Sequence, residues 1–194
     1  MCEVKSLKEY LLSDEILLYE NEIFEMIPEL KHEKGFEQRS EWHCFDVWRH
    51  TIATINACEK NFEDRLVMLL HDVGKPFSYQ DEGNIRHFKG HAMKSAEIAE
   101  NILDRLNVSL ANKKNILELI RMHSSKIIVE NISLENVNFY RRLLKIQRSD
   151  AHGYEPSHSL QILKQLDITE KKINEICLKI DINKQLNDVE DFER

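Results

Sequence analysis

At 194 residues and 42% hydrophobic content, the chain is long enough to bury about 70% of its unfolded surface in one core. Only 5 Gly and 3 Pro leave few turns, which excludes a disordered chain and a β-rich one. The formal net charge of -7 argues against a protein whose main task is gripping nucleic acid by its backbone, so stable nucleic-acid binding is not expected.

A small phosphorylated substrate stays open, because a bound cation reverses the local field. The N-terminal MCEVKSLKEYLLSDE has no uninterrupted apolar run, and no segment nears the roughly 18 apolar residues that a membrane span requires. Cys2, Cys44, Cys58 and Cys177 form no CxxC pair and read as reduced structural thiols. A cytoplasmic protein is expected.

Apolar residues recur at helical spacing from end to end, which predicts an all-α fold in a single domain over 1–194. Residues 5–30 form one or two helices interrupted near Pro28, and HEKGFEQRS at 32–40 is a loop. Ser40 is the expected N-cap of a helix through Ala57. Asn61 caps the next helix, which Gly74 and Pro76 end. One short extended arm is expected at 77–90, with a turn at Asp81-Glu82-Gly83-Asn84. Helices follow over His91–Leu106, 111–123 and 133–150, then two more after Pro156 and a frayed acidic end, NDVEDFER.

Polar ligands sit at the buried ends of these helices. His43 and His50 are two turns apart, about 20° on the helical wheel, with Asp46 near the same line. His71 and Asp72 end their helix, where negative charge is disfavoured by the helix dipole unless a cation offsets it. His91 shares an apolar stripe with Ser95, Ile98 and Ile102; His123 aligns with Ile116 and Ile120; Asp150 aligns with Leu143 and Ile146. A carboxylate on a core-facing stripe is expensive unless it is paired or bound to metal. Each residue alone reads as a satisfied polar core group; together they predict a divalent metal centre of one or two ions. Imidazole and carboxylate donors suit Fe, Mn, Ni or Zn, or Mg where oxygen dominates. His32, His152 and His158 read as solvated, and His87 as intermediate.

The segments HCFDVWRHT, LVMLLHDVGKP, IRHFKGHAMKSAEIA, LIRMHSSK and RRLLKIQRSDAHG carry a resemblance to the HD-domain metal-dependent phosphohydrolases. The match covers about 36–155, with the helices of 1–35 and 156–194 packed on it. In detail the chain looks like the HD domain of bacterial CCA-adding enzymes and its freestanding relatives. That resemblance implies His50, His71, Asp72 and Asp150 on a first metal, and His91 and His123 on a second, with Asp72 bridging. It has neither the Gly-Gly pair nor the DxD of a nucleotidyltransferase head. Other branches fit less well: guanosine-tetraphosphate hydrolases carry Glu-Asp after the pair, where Lys75-Pro76 follows Gly74 here, and HGYEP at 152–156 does not reproduce the cyclic-dinucleotide pattern. Deoxynucleotide triphosphohydrolases are longer, whereas the diadenosine-tetraphosphate hydrolases match in size.

The expected activity is hydrolysis of a nucleotide or another phosphate mono- or diester by a metal-activated water. The catalytic residues are Asp72 and Lys75. Lys75 also serves as a point charge for a phosphoryl oxygen, and one of Arg141, Arg142 and Arg148 (Arg142 foremost) clamps phosphate. Asp46 and His43 support the ligands from behind. The alternative is a non-catalytic nucleotide sensor or interaction module with the same metal site.

Overall fold

The computed structural model describes residues 2–192, with side chains described over 6–178. Among the described residues there are eight α-helices and one two-stranded hairpin. The helices are α1 (Cys2–Leu12), α2 (Glu20–Met26), α3 (Val47–Ala57), α4 (Phe62–Leu70), α5 (His91–Arg105), α6 (Leu110–Met122), α7 (Val137–Ala151) and α8 (Pro156–Phe192). Strands β1 (Gln80–Glu82) and β2 (Ile85–His87) pair antiparallel across the expected turn and form the extended arm. No helix is long and apolar enough to cross a membrane among these residues.

Helix α4 organises the bundle. Every residue from Asp64 to Leu70 is buried, as expected of a helix covered on all sides. It packs against α1, α3, α5, α6 and α7. Asn61 caps it, accepting a hydrogen bond from the Asp64 amide at 3.1 Å. The one buried cation near its start, Arg65, is matched to carbonyls at the ends of other helices. It donates to Leu11 O at 2.6 Å, Ser13 O at 3.2 Å and Cys58 O at 3.2 Å. Because α4 runs through the middle, the His71-Asp72 pair at its C-terminal end is delivered into the centre of the molecule.

Gly74 then allows α5 to approach. A Cβ there would lie 2.4 Å from Ser95 N, 2.7 Å from His91 O and 2.8 Å from Lys94 C, all backbone atoms. The Gly74 amide also donates to Ser95 Oγ at 2.9 Å. Gly74→Ala must push α5, and His91 with it, away from Asp72. The expected loss is about 1–3 kcal/mol, the scale of overpacking, or roughly 3–10 °C in Tm. An unchanged melting curve would show that α5 yields freely.

Two expectations are corrected. The helix expected from Ser40 begins at Val47, with Asp46 as its cap accepting from the Arg49 amide at 2.7 Å. Residues 40–46 instead form turns, held by an isolated bridge between Glu37 and Asp46. The two helices expected after Pro156 are one, because nothing between Ser157 and Phe192 is Gly or Pro. Within the 32–40 loop, Glu33 and Gln38 are buried. The acidic end at 187–194 lies outside the residues whose side chains are described.

Candidate metal centre

Five helices supply the centre. His50 projects from α3, His71 caps the end of α4, and Asp72 follows it in the turn. His91 opens α5, His123 caps the end of α6, and Asp150 sits in the last turn of α7. All but His91 are essentially buried.

The four imidazoles are oriented the same way. Each Nδ1 lies against a backbone carbonyl: His50 on Gly153 O at 3.0 Å, His71 on Met68 O at 2.6 Å, His91 on Phe88 O at 2.8 Å and His123 on Ile120 O at 2.7 Å. A carbonyl can only accept, so each Nδ1 carries the proton. In the neutral ring, Nε2 is then left with a lone pair, the arrangement used by metal-ligating histidines.

These Nε2 atoms meet two carboxylates. His50 Nε2 lies 2.9 Å from Asp150 Oδ1, 3.3 Å from Asp72 Oδ2 and 3.3 Å from His71 Nε2. His71 Nε2 lies 3.2 Å from Asp72 Oδ2 and 3.4 Å from Asp150 Oδ1. On the other side of the same carboxylate, Asp72 Oδ1 is 3.5 Å from His91 Nε2 and 3.7 Å from His123 Nε2, which are 3.2 Å apart. Donors about 2.0–2.2 Å from a shared ion stand about 3–3.6 Å from each other. The spacing fits. Two triplets could each hold an ion, His50-His71-Asp150 and His71-Asp72-His123.

Hydrogen bonding makes the same case. His91 Nε2, His123 Nε2 and Asp72 Oδ1 are all acceptors, with no donor among them. Asp72 Oδ1 has no hydrogen-bond partner among the described residues, whereas Lys75 Nζ lies 2.7 Å from Oδ2. Buried acceptors this close repel unless a cation lies between them.

Charge follows the geometry. Burial opposes ionisation of Asp72, yet His71 and Lys75 hold it well below the usual carboxylate range. Asp150 is also buried, and hydrogen bonds from His50 and His71 hold it well below that range. Burial likewise opposes protonation of His71, but Asp72 and Asp150 carry it up to about 10. Despite its burial, His50 is raised by Asp150 and Asp72. Burial pushes His123 down to about 4 and lowers His91. Two fixed anions draw positive charge to one point. A divalent cation meets that demand while leaving the imidazoles neutral.

Lys75, expected at this point, is buried beside Asp72 and held by Gln38 Oε1 at 2.7 Å, with the Phe88 ring centroid 5.3 Å away. Around it the structure brings in residues that sequence patterning missed. Glu33 is fully buried nearby and accepts from Thr51 Oγ1 at 3.1 Å; burial, with Asp72 next, pushes it up to about 8. Tyr154 lines the opening with His43, their rings 4.7 Å apart. Glu33 and Gln38 lie in a polar loop whose burial depends on tertiary packing, so no local signal marks them.

The remaining expected residues divide. His43 reaches the opening from the turn before α3 rather than from the helix. Both its ring nitrogens are buried without hydrogen-bond partners among the described residues, and burial pushes its pKa down to about 3. Asp46 is a helix cap whose carboxylate accepts from the Arg49 amide at 2.7 Å and from the Gly35 amide at 3.0 Å. Arg142 is not brought to the centre. It pairs with Asp64 and Glu63 in the first turn of α4, the opposite end from His71. Arg148 pairs with Asp167 and Glu170 on α8.

Comparison with known proteins bears on this constellation. The model of the family described as HD domain matches residues 43–176. An A-adding tRNA nucleotidyltransferase of Deinococcus radiodurans is 30% identical over 125 residues, 61% of this chain and 29% of the relative. A CC-adding tRNA nucleotidyltransferase of Thermus thermophilus is 31% identical over 123 residues, 60% of this chain and 28% of the relative. The chain thus spans less than a third of the length of either curated relative.

Proposed function

The chain belongs to the HD domain family, and from that membership we propose that it is a metal-dependent phosphohydrolase acting on a nucleotide or a related small phosphate ester. The observation that supports this most directly is the buried meeting of His91 Nε2, His123 Nε2 and Asp72 Oδ1, three acceptors with no donor. His50, His71, Asp72 and Asp150 would hold one ion; His91 and His123, with Asp72 shared, would hold a second. Four imidazoles against two carboxylates favour a transition metal over Mg. Such an ion acidifies water and neutralises phosphoryl oxygens.

The protein's own groups would bind and orient the substrate. Lys75, held by Gln38, presents a fixed ammonium at the mouth of the centre. His43 stays neutral, so it serves as a hydrogen-bonding group for the substrate rather than as an acid. With a net charge of -7, the chain suits a small nucleotide better than a long nucleic-acid backbone, even though both relatives are named for action on tRNA.

The test is elemental analysis of the purified protein. It is paired with hydrolysis assays on nucleoside monophosphates, cyclic nucleotides and dinucleoside polyphosphates, with and without a chelator. Metal-dependent turnover supports the reading. A second reading, a nucleotide-sensing or interaction module, is favoured by the relatives being named for nucleotidyl transfer and not for hydrolysis. A folded, metal-loaded protein inert on every ester would put it first.

The second ion has its own check. The double variant His91→Ala/His123→Ala is expected to lose one metal equivalent per chain relative to wild type while keeping the other. Equal metal content and equal activity in both proteins would rule out a binuclear centre.

A further inference from the structure

The hairpin of β1 and β2 supplies none of the proposed metal ligands, yet it reaches the centre through one arginine. Arg86, in β2, has only 9% of its side chain exposed. Its Nε and Nη2 donate to the two oxygens of Asp81 at 2.7 and 2.8 Å, and its Nη1 donates to Glu37 O at 3.0 Å. Its backbone amide donates to Arg39 O at 3.2 Å. The guanidinium carbon lies 4.6 Å from the ring centroid of Phe36 and 4.4 Å from that of Tyr79, within the range of cation–π attraction. One residue thus grips the chain on both sides of Gln38.

The grip matters because this loop does not hold its shape by local preference. Arg39 has a φ of 46°, in the left-handed region that non-glycine residues rarely adopt and keep only where their surroundings fix them. Between the two gripped carbonyls, Gln38 is buried and its side chain makes two contacts. Nε2 donates to Phe45 O at 3.2 Å, and Oε1 accepts from Lys75 Nζ at 2.7 Å. A lysine carries its charge on a flexible four-carbon stem. Here the ammonium is fixed between Gln38 Oε1 and Asp72 Oδ2, each 2.7 Å away, on the wall of the cavity that opens on the centre. The hairpin's exit adds a third contact, since the ring centroid of Phe88 is 5.3 Å from Nζ. If the loop slackens, Gln38 no longer opposes Asp72, and the carboxylate alone sets where the ammonium sits.

We infer that Arg86 is a positioning residue of the centre: through Gln38 it sets where the Lys75 ammonium meets an anion in the cavity. The consequence for turnover rests on the hydrolase reading above; the consequence for anion binding does not.

The test is a double-variant cycle on the metal-loaded full chain. Calorimetric binding of inorganic phosphate is the main readout, with turnover of p-nitrophenyl phosphate beside it. Arg86→Lys keeps the charge but not the planar fork that spans Asp81 and Glu37 O. With Lys75 present, it is expected to weaken phosphate binding about tenfold, within the range of coupled neighbours. In the Lys75→Ala background, where the metal still draws phosphate, Arg86→Lys is expected to add nothing. A merely structural Arg86 would weaken both backgrounds alike. Asp81→Asn, at an exposed position facing the same fork, replaces Arg86→Lys should that variant not fold, and carries the same expectation. Equal losses in the two backgrounds, no loss in either, or a wild type that does not bind phosphate overturns the positioning role. A coupled loss of phosphate binding in a protein that turns over no p-nitrophenyl phosphate supports the positioning role and counts against the hydrolase reading.

Discussion

Asp72→Asn is expected to abolish phosphoester hydrolysis and to strip the protein of most of its metal. The two oxygens of this one carboxylate face different groups: Oδ2 stands among His50, His71 and Lys75, while Oδ1 faces His91 and His123. The amide keeps the shape but loses the charge and presents NH₂ to one of the two groups, a hydrogen-bond donor in place of a carboxylate oxygen that could ligate a cation. The rate should fall by about 10³-fold or more, beyond the roughly 10²–10³ lost with a single electrostatic donor. Lys75 keeps its contact with Gln38, so the fold should survive. Lys75→Ala, which removes one charge contact and leaves every proposed ligand, should lower turnover less than Asp72→Asn does. Elemental analysis, circular dichroism and an esterase assay on the three proteins decide the matter. Full activity in folded Asp72→Asn would place the chemistry in another site or in a contaminant.

The candidate ligands are legible in the amino-acid sequence because the two carboxylates among them break the rules of their own helices. Asp150 puts a carboxylate on the stripe of Leu143 and Ile146, and Asp72 puts one at a helix C-terminus. The hairpin is legible from its turn, and the cap at Asn61 from its position before an apolar run. What local patterning does not carry is whatever is fixed by contacts far apart in the chain. Ser40 and Asp46 are both good caps, and local chemistry does not choose between them; the bridge from Glu37 to Asp46 does. That choice moves His43 off the helix and into the mouth of the cleft. Arg142 lies eight residues before Asp150, yet Glu63 and Asp64 claim its guanidinium because α4 packs on α7. Glu33 and Gln38 look like loop surface until α3 and the turn after Asp72 close over them.

Gly153→Ala is expected to weaken metal binding at the His50 side of the centre by about 10–100-fold, as loss of the group that orients a metal ligand does. Gly153 lies just past the C-cap of α7, and its carbonyl is the acceptor that fixes His50 Nδ1 at 3.0 Å. A Cβ on this residue would lie 2.2 Å from His50 Nδ1 and 2.4 Å from Cε1, so the ring or the chain must move. Either movement turns Nε2 away from Asp150 Oδ1, 2.9 Å from it here. The change touches no proposed ligand and adds one methyl group, so folding is expected to persist with a lower Tm. Metal titration of the folded variant should show the loss on the ion held by His50, His71 and Asp150, with the His91 and His123 side less affected. His152→Ala, at the exposed neighbouring position, is the control and should bind metal as wild type does. Wild-type affinity in Gly153→Ala would mean that His50 is not oriented by this carbonyl and that its place in the centre must be reconsidered.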